Sequence, residues 1–204
     1  MAVVNPNSVL PDANIWVSET LHSWFGLLAS MSLGSWSFRW TEDIFNEAGY
    51  HRRRRFIDKY GTHVDSSRVE SLRDRLETSM GKEARISGFA HDDSVNVIDP
   101  YDAHVHDAAV HAGIGVVVTD NIKDFTKIYD DPDDCPYDVM TADEFLTLAA
   151  ESAPEMIDTV ILCQYRYWAG KRKPFNLPAK LRAAGCQEFS RYVAGRLQVI
   201  ALPG

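Results

Sequence analysis

The stretch that decides the fold runs from Asp99 to Phe125 and reads DPYDAHVHDAAVHAGIGVVVTDNIKDF. Its apolar positions before Gly113 recur at helical spacing, and Gly113 is a typical helix end. The apolar run from Gly115 to Thr119 is typical of a buried parallel strand. Polar side chains follow that strand at once, where ligands bind in open α/β sheets. This stretch therefore predicts a helix, a buried strand and a functional sheet edge.

Strands and helices alternate through most of the remaining chain, which predicts a parallel sheet flanked by helices. Strands are expected at 9–11, 38–40, 96–98 and 137–140, and helices at 19–32, 65–80 and 142–150. A further helix is expected to begin at Thr41 and to end at Gly49 or at the arginine run after it. From Ser152 onward only helices are expected, with a linker at 174–178. The predicted fold is α/β, with a sheet domain at 1–150 and a helical C-terminal appendage at 151–204.

Composition narrows the class of protein. The chain has 204 residues, of which 45% are hydrophobic, enough for a sizeable core. No apolar run reaches the roughly 18 residues of a membrane span, so no membrane role is expected. The three widely spaced cysteines argue against disulfides and zinc sites, and predict reduced thiols in a cytoplasmic protein. A net charge of −8 argues against a protein that coats nucleic acid, but not against an enzyme that acts on it.

Four acidic residues fall where such a fold can bring them together: Asp12, Glu47, Asp102 and Asp124. Grouped carboxylates raise each other's pKa and stay ionised only beside a cation. Hard oxygen ligands favour Mg²⁺ or Mn²⁺, which bind phosphate oxygens and activate water. The chemistry indicated is phosphodiester hydrolysis. Each residue has an ordinary alternative, because an Asp after a strand is often a helix cap and Glu47 is compatible with a solvated surface.

Four blocks of the chain resemble the conserved blocks of one family. They are VLPDANIWVS at 9–18, WTEDIFNE at 40–47, the stretch from 99 to 109, and VTDNIKDF at 118–125. In this order and spacing they resemble the PIN-domain family over roughly residues 8–147. The tail from Ser152 is similar to the helical extension of some bacterial PIN proteins of the VapC toxin type.

The resemblance implies a PIN-like α/β/α sandwich and a Mg²⁺-dependent endoribonuclease, often the toxin of a type II toxin–antitoxin pair. Asp12, Glu47 and Asp102 match the first three acidic positions of that family. Asn121 stands where many members carry an Asp, so Asp124 is taken as the fourth acidic group. RNA is the implied substrate, an antitoxin protein the implied partner, and homodimerisation stays open. The alternatives are a housekeeping RNA-processing nuclease and a PIN-like module that binds RNA or protein without cutting.

Neighbouring polar residues are expected to hold the carboxylates or to position the substrate: Asn14, Ser18, His104, Thr119 and Asn121. Asp120 is expected to point elsewhere. The run Arg52, Arg53, Arg54 and Arg55 is a candidate for contacts with RNA phosphates, with a solvated, ion-paired surface as the equal alternative. Tyr165, Tyr167 and Trp168, next to the basic segment 171–173, either stack on bases or pack the appendage onto the sheet domain.

Overall fold

The computed structural model describes residues 3–32, 34–60, 67–90 and 102–200. Four strands and ten helices lie in these ranges, besides two short 3-10 turns. They are β1 (Asn5–Pro11), α1 (Ala13–Val17), α2 (Glu19–Met31), β2 (Ser37–Phe38), α3 (Glu42–Tyr60), α4 (Ser67–Met80), α5 (Ala103–Ala112), β3 (Ile114–Val118), α6 (Ile122–Thr126), β4 (Asp138–Met140), α7 (Ala142–Ser152), α8 (Pro154–Gly170), α9 (Leu177–Ala183) and α10 (Gln187–Val199).

The four strands form one parallel sheet in the order β2-β1-β3-β4. Pro11 pairs with Val118, and Val118 pairs with Met140, so three strands end level with one another. The residues that directly follow β1, β3 and β4 therefore lie at the same edge of the sheet. The predicted α/β fold with a parallel sheet flanked by helices is confirmed. The expected strand at 96–98 lies outside the described residues.

The burial of β1 and β3 is consistent with their central position in the sheet. All five residues of β3 are buried, and the second half of β1 is buried as well, as expected of strands covered on both faces. Aromatic side chains fill the core beside them. The Phe25 ring lies 5.6 Å from the Phe145 ring in a stacked arrangement and 6.3 Å from the Trp16 ring in an edge contact. This packing joins α1, α2 and α7 to the sheet.

Several helix boundaries differ from the prediction. The expected end of the helix after Thr41 is wrong, because α3 continues through Gly49 and the arginine run to Tyr60. Gly49 is buried, and arginine has high helix propensity, so neither ends the helix. Two five-residue helices, α1 and α6, were not predicted. The expected linker is also too long, because Pro178 lies in the first turn of α9, where proline is well tolerated.

Other helix ends agree with the sequence. Gly113 ends α5 in the left-handed conformation, with φ of 60°. Thr141 and Glu144 form the predicted capping box at the start of α7. The box predicted at Ser67 and Glu70 concerns side chains outside the described set.

The C-terminal helices share the core of the sheet domain. The ring of Phe189 in α10 lies 5.1 Å from that of Trp24 in α2. Asp143 in α7 accepts hydrogen bonds from the backbone N–H groups of Glu188 (3.0 Å) and Phe189 (2.8 Å) at the start of α10. The helices beyond residue 150 thus pack firmly against α2 and α7. Within the described residues, no helix combines the length and apolarity that a membrane span requires, and the three cysteines are free thiols.

Gly115 allows β1 and β3 to approach closely, which predicts a steric test. A Cβ there would lie 2.5 Å from the Asn5 carbonyl oxygen and 2.6 Å from the Cα of Pro6. Because these are backbone atoms, we expect Gly115→Ala to lower the free energy of unfolding by about 1–3 kcal/mol. Urea unfolding measures this change. Gly195→Ala is the control, because a Cβ in that exposed helical position meets no atom within 4 Å and should stabilise by about 0.5–1 kcal/mol. Equal effects of the two substitutions would contradict the steric explanation.

Candidate active site

Asp12 is the most buried acidic side chain at the sheet edge, with 3% of its surface exposed. It follows β1 and caps α1, where its Oδ1 accepts a 2.5 Å hydrogen bond from the Ala13 N–H. Its Oδ2 accepts two more, from Asn14 Nδ2 at 2.7 Å and from Thr119 Oγ1 at 2.8 Å. Asn14 and Thr119 therefore hold the carboxylate, as the sequence predicts.

Burial raises the pKa of Asp12 above its ordinary value of 3.8. The hydrogen bonds from Thr119 and Ala13 and the nearby His104 ring lower the pKa, but they offset the effect of burial only in part. The ionised carboxylate is therefore costly to bury in the protein alone. A cation at this position would favour the charged form and relieve that cost.

Thr119 links Asp12 to Asp102 through hydrogen bonds. Its Oγ1 accepts from Asn14 Nδ2 at 2.9 Å and from the Asn121 backbone N–H at 3.0 Å. Asn121 Nδ2 in turn donates to Asp102 Oδ2 at 2.8 Å. Asp102 occupies the N-cap position of α5, but its side chain makes no capping hydrogen bond there. Its carboxylate is thus directed toward the end of β3, and Asn121 acts as its hydrogen-bond donor.

Glu47 lies near two imidazole rings. Its Oε2 is 3.6 Å from His104 Nε2, and its Oε1 is 3.6 Å from His51 Nε2. His104 Nε2 is buried and has no hydrogen-bond partner among the described residues. The charge of the same imidazole also lowers the pKa of Asp12, and His104 lies two residues after Asp102 at the start of α5. The structure therefore brings Asp12, Glu47 and Asp102 to one edge of the sheet.

Asp124 is less closely tied to this edge. It lies in the single turn of α6 and is partly exposed. In the described part of the chain, no hydrogen bond or ion pair joins its side chain to Asp12, Glu47 or Asp102. Ser18 has a structural task, since its Oγ accepts from the Leu21 N–H at 3.3 Å and caps α2.

Asp120 was expected to point elsewhere, yet its carboxylate is electrostatically coupled to the site. Partial burial and the charge of Asp12 both raise its pKa. Its backbone N–H also donates to Asn14 Oδ1 at 3.4 Å. The position of Asp120 directly after Thr119, level with the end of β1, is the sequence signal that points to this proximity.

The arginine run divides into two kinds of residue. Arg52 is partly buried, and its Nη1 donates to the Trp16 carbonyl oxygen at 3.3 Å, near the end of α1. Burial lowers the pKa of this guanidinium, and the charge of Glu19 partly offsets the effect. Arg53, Arg54 and Arg55 are exposed on α3. Only these three are free to reach a ligand without breaking a contact that supports α1.

The donor set fits a hard divalent cation by its chemistry. Carboxylate and amide oxygens are the ligands that Mg²⁺ accepts, and the buried Asp12 gains from a nearby positive charge. No three His, Cys, Asp or Glu side chains of the described residues are already grouped to hold a metal. Mg²⁺ does not require such a group, because it usually keeps several waters and binds through one or two carboxylates and substrate phosphates.

Known proteins give no independent assignment of this site. Comparisons with protein-family models, with curated proteins and with solved structures found no match. The likeness of the four sequence blocks to PIN domains therefore stays a prediction. Function has to be inferred from the carboxylates and their hydrogen-bond partners.

The hydrogen bond from Thr119 to Asp12 predicts a pH-dependent loss of stability in Thr119→Val. Since the folded pKa of Asp12 is raised, its contribution to stability is greatest below pH 3.8 and is lost as pH rises through the folded pKa. Removing the Thr119 hydroxyl raises this pKa further. We expect a loss of about 1.5–3 kcal/mol where Asp12 is ionised, and a smaller loss where it is protonated.

Urea unfolding of wild type, Thr119→Val and Thr119→Ser from pH 4 to pH 9 measures this effect. Thr119→Ser retains the hydroxyl and should follow the wild type. A deficit of Thr119→Val that does not change with pH would show that lost packing, not the carboxylate, explains the variant.

Proposed function

We propose that this protein is a Mg²⁺-dependent endoribonuclease that hydrolyses RNA phosphodiester bonds, with Mn²⁺ as an alternative ion. The observation that carries the proposal is the buried Asp12 carboxylate, whose pKa is raised at the sheet edge where Asp102 and Glu47 also lie. A buried carboxylate that its three hydrogen bonds compensate only in part is expensive in a purely structural role, because a neutral cap such as Asn or Ser would also serve α1.

Each residue of the site has a defined task in this proposal. Asp12 would hold the cation through Oδ1, which accepts one hydrogen bond and has a second lone pair. Asp102 would be its second ligand, kept in place by Asn121. Thr119 and Asn14 fix the orientation of Asp12. When bound, Mg²⁺ supplies a water of lowered pKa and charge stabilisation for an in-line displacement at phosphorus.

Glu47 and His104 would form a second part of the site, with Glu47 Oε2 lying 3.6 Å from His104 Nε2. In this proposal Glu47 would accept a proton from the attacking water or hold that water beside the substrate. Asp124, partly exposed on α6 and without a direct contact to the other three acids among the described residues, would be the fourth acidic group in this assignment.

The proposal predicts that Asp12→Asn abolishes metal-dependent RNA cleavage and leaves the fold intact, because Asn caps a helix as well as Asp. Purified protein is incubated with a mixed RNA pool in Mg²⁺, in Mn²⁺ and in chelator. Asp58→Asn is the matched control, since Asp58 is exposed on α3 away from the sheet edge. Cleavage by wild type and Asp58→Asn, but not by Asp12→Asn, supports the nuclease. Equal cleavage by Asp12→Asn would refute this assignment of the site.

Cation binding also has a readout that does not depend on RNA. Mg²⁺ at about 100 times its Kd should add about 2.7 kcal/mol to stability, or roughly 5–10 °C in Tm, in wild type and Asp58→Asn. Asp12→Asn should show little of this shift. The shift should grow as pH rises, because the cation competes with a proton at Asp12.

We further propose that the nuclease is the toxin of a type II toxin–antitoxin pair. Support comes from the likeness of the helical tail to that of VapC-type proteins. Induced expression of the wild type and of Asp58→Asn should then arrest bacterial growth, whereas Asp12→Asn should not. Cleavage in vitro without growth arrest would instead favour a housekeeping RNA-processing nuclease.

One second function has support from a specific observation. Asn121, which donates to Asp102, stands where the resemblance to PIN domains leads one to expect an Asp, and no group of three side chains able to hold a metal is present among the described residues. These facts favour a module that binds RNA or a partner protein without cutting. RNA binding in chelator, together with no cleavage and no Mg²⁺-induced Tm shift, would identify that module.

A further inference from the structure

A 29-residue segment from Thr159 to Gln187 contains no acidic residue, although the whole chain has a net charge of −8. It carries six cations: Arg166, Lys171, Arg172, Lys173, Lys180 and Arg182. Among the described residues, none of the six forms an ion pair. All except Lys180 are classed as exposed. Elsewhere, by contrast, several basic side chains are paired, such as Arg196 with Asp158.

The fold brings two of these cations together with two aromatic rings on one surface, the Tyr167 patch, formed by Tyr167, Trp168, Lys171 and Lys180. Lys171 Nζ lies 4.9 Å from the centre of the Tyr167 ring, and Lys180 Nζ lies 3.9 Å from the centre of the Trp168 ring. The two rings meet edge to face at 5.4 Å. The contacts therefore run in the order Lys171, Tyr167, Trp168 and Lys180, with a cation at each end and the two rings between them.

The Trp168 and Tyr167 rings differ in burial, so that one contributes to packing and the other is open to a ligand. Trp168 is partly buried and packs against the core. Tyr167 is 56% exposed, so most of its ring is open to solvent. Behind the patch, Tyr165 packs against Phe175 at 5.3 Å and supports the turn. The sequence left base stacking and core packing open for these aromatic residues, and the structure gives the exposed position to Tyr167.

The turn after α8 extends the patch with Arg172 and Lys173. Arg172 has φ of 51°, the left-handed region that side chains other than glycine rarely adopt. No other described residue except glycine has a positive φ. Arg172 directly follows the C-cap residue of α8, where the left-handed conformation commonly ends a helix. The turn therefore places three exposed basic residues in succession, Lys171, Arg172 and Lys173.

The patch connects to the candidate active site through α9. This helix carries Lys180 and Arg182 and ends at Ala183, three residues before Cys186. The thiol of Cys186 is buried, and the charges of Asp143 and Asp120 add to burial in raising its pKa to about 12. Asp143, three residues after the end of β4, accepts hydrogen bonds from the Glu188 and Phe189 N–H groups, and the Met140 carbonyl that ends β4 accepts from the Thr119 N–H. The segment that follows α9 is therefore joined through the start of α7 to the sheet edge that holds Asp12. The seven residues of α9 span about 10 Å.

We propose that the Tyr167 patch binds single-stranded RNA outside the cleavage site, with Tyr167 stacking on a base and the surrounding cations contacting phosphates. This deepens, and rests on, the proposed ribonuclease function. An aromatic ring among unpaired cations matches the stacking platforms of single-strand binding proteins. An acidic protein segment would pair with the cations but would supply no planar base to stack on the exposed Tyr167 ring. Duplex RNA would hide its bases from that ring.

The test is binding of a fluorescein-labelled 12-nucleotide oligouridine, measured by anisotropy in chelator so that cleavage cannot occur. Lys171→Gln with Lys173→Gln should weaken binding about 25-fold at 0.1 M salt and reduce the slope of log K against log salt by about 1.4. Tyr167→Ala should weaken binding about tenfold, and Tyr167→Phe should restore it. Loss of cations should change the salt slope, whereas loss of the ring should not.

The chain offers matched controls on α3 and beyond it. Tyr60 is 60% exposed with Lys59 Nζ 5.1 Å from its ring centre, and in the described part of α3 it lies at the helix end, beyond the arginine run. Tyr60→Ala, and Lys59→Gln combined with Lys82→Gln, should bind oligouridine like the wild type. Patch variants that bind as tightly as these controls would overturn the proposal. Equal binding of duplex RNA, or displacement of oligouridine by polyglutamate without any effect of Tyr167→Ala, would also overturn it in favour of a general polyanion or acidic protein site.

The cleavage assay distinguishes failure of this proposal from failure of the nuclease. Selective loss of binding in the patch variants, with no cleavage by any protein, would retain the patch and refute the nuclease. Metal-dependent cleavage with unchanged RNA binding in the patch variants would support the nuclease and refute the patch. If both proposals hold, the patch variants should raise KM for long RNA and leave kcat nearly unchanged.

Discussion

The structure depends on a carboxylate buried where β1 ends. Asp12 is 3% exposed, and its three hydrogen-bond donors come from α1 and from the end of β3. Thr119 is 107 residues away in sequence and reaches Asp12 only because Pro11 pairs with Val118 in the parallel sheet. The same pairing therefore creates both the core and the site. A shift of one residue in this register would turn Thr119 away and leave a buried charge with fewer partners.

The close approach of the two central strands imposes its own constraint. At Gly115 the backbone of β1 leaves no room for a Cβ, and the register of β1 against β3 shifts between Asn5 and Val9. Ser8 lies in this irregular segment, where its hydroxyl accepts from the Gly115 N–H at 2.9 Å and donates to the Asn5 carbonyl at 2.7 Å. The Ser8 hydroxyl thus supplies hydrogen bonds to backbone groups at the irregularity. The residues from Val9 to Pro11 keep the register that the site requires.

The sequence predicted those features that depend on local chemistry. The apolar run after Gly113 indicated β3, and polar residues at strand ends indicated Asp12 and Thr119 as neighbours. It missed features that depend on tertiary contacts. Gly49 looks like a helix end, but its buried position within α3 overrides propensity. Four consecutive arginines look equivalent, yet the Trp16 carbonyl turns Arg52 inward. The contact of His104 in α5 with Glu47 in α3 joins residues far apart in sequence, which no local pattern encodes.

Electrostatics explain why an RNA-cutting enzyme would keep its cations apart from its carboxylates. A site built on Asp12, Glu47 and Asp102 repels a polyanion until a cation is bound, and arginines placed beside these acids would form ion pairs with them and displace the ion. In this chain six cations that form no ion pair among the described residues lie in the segment 159–187, which contains no acidic residue, in addition to the exposed Arg53, Arg54 and Arg55 on α3. Under the proposed function, cations outside the carboxylate site would attract RNA at long range and leave the carboxylates available for the metal.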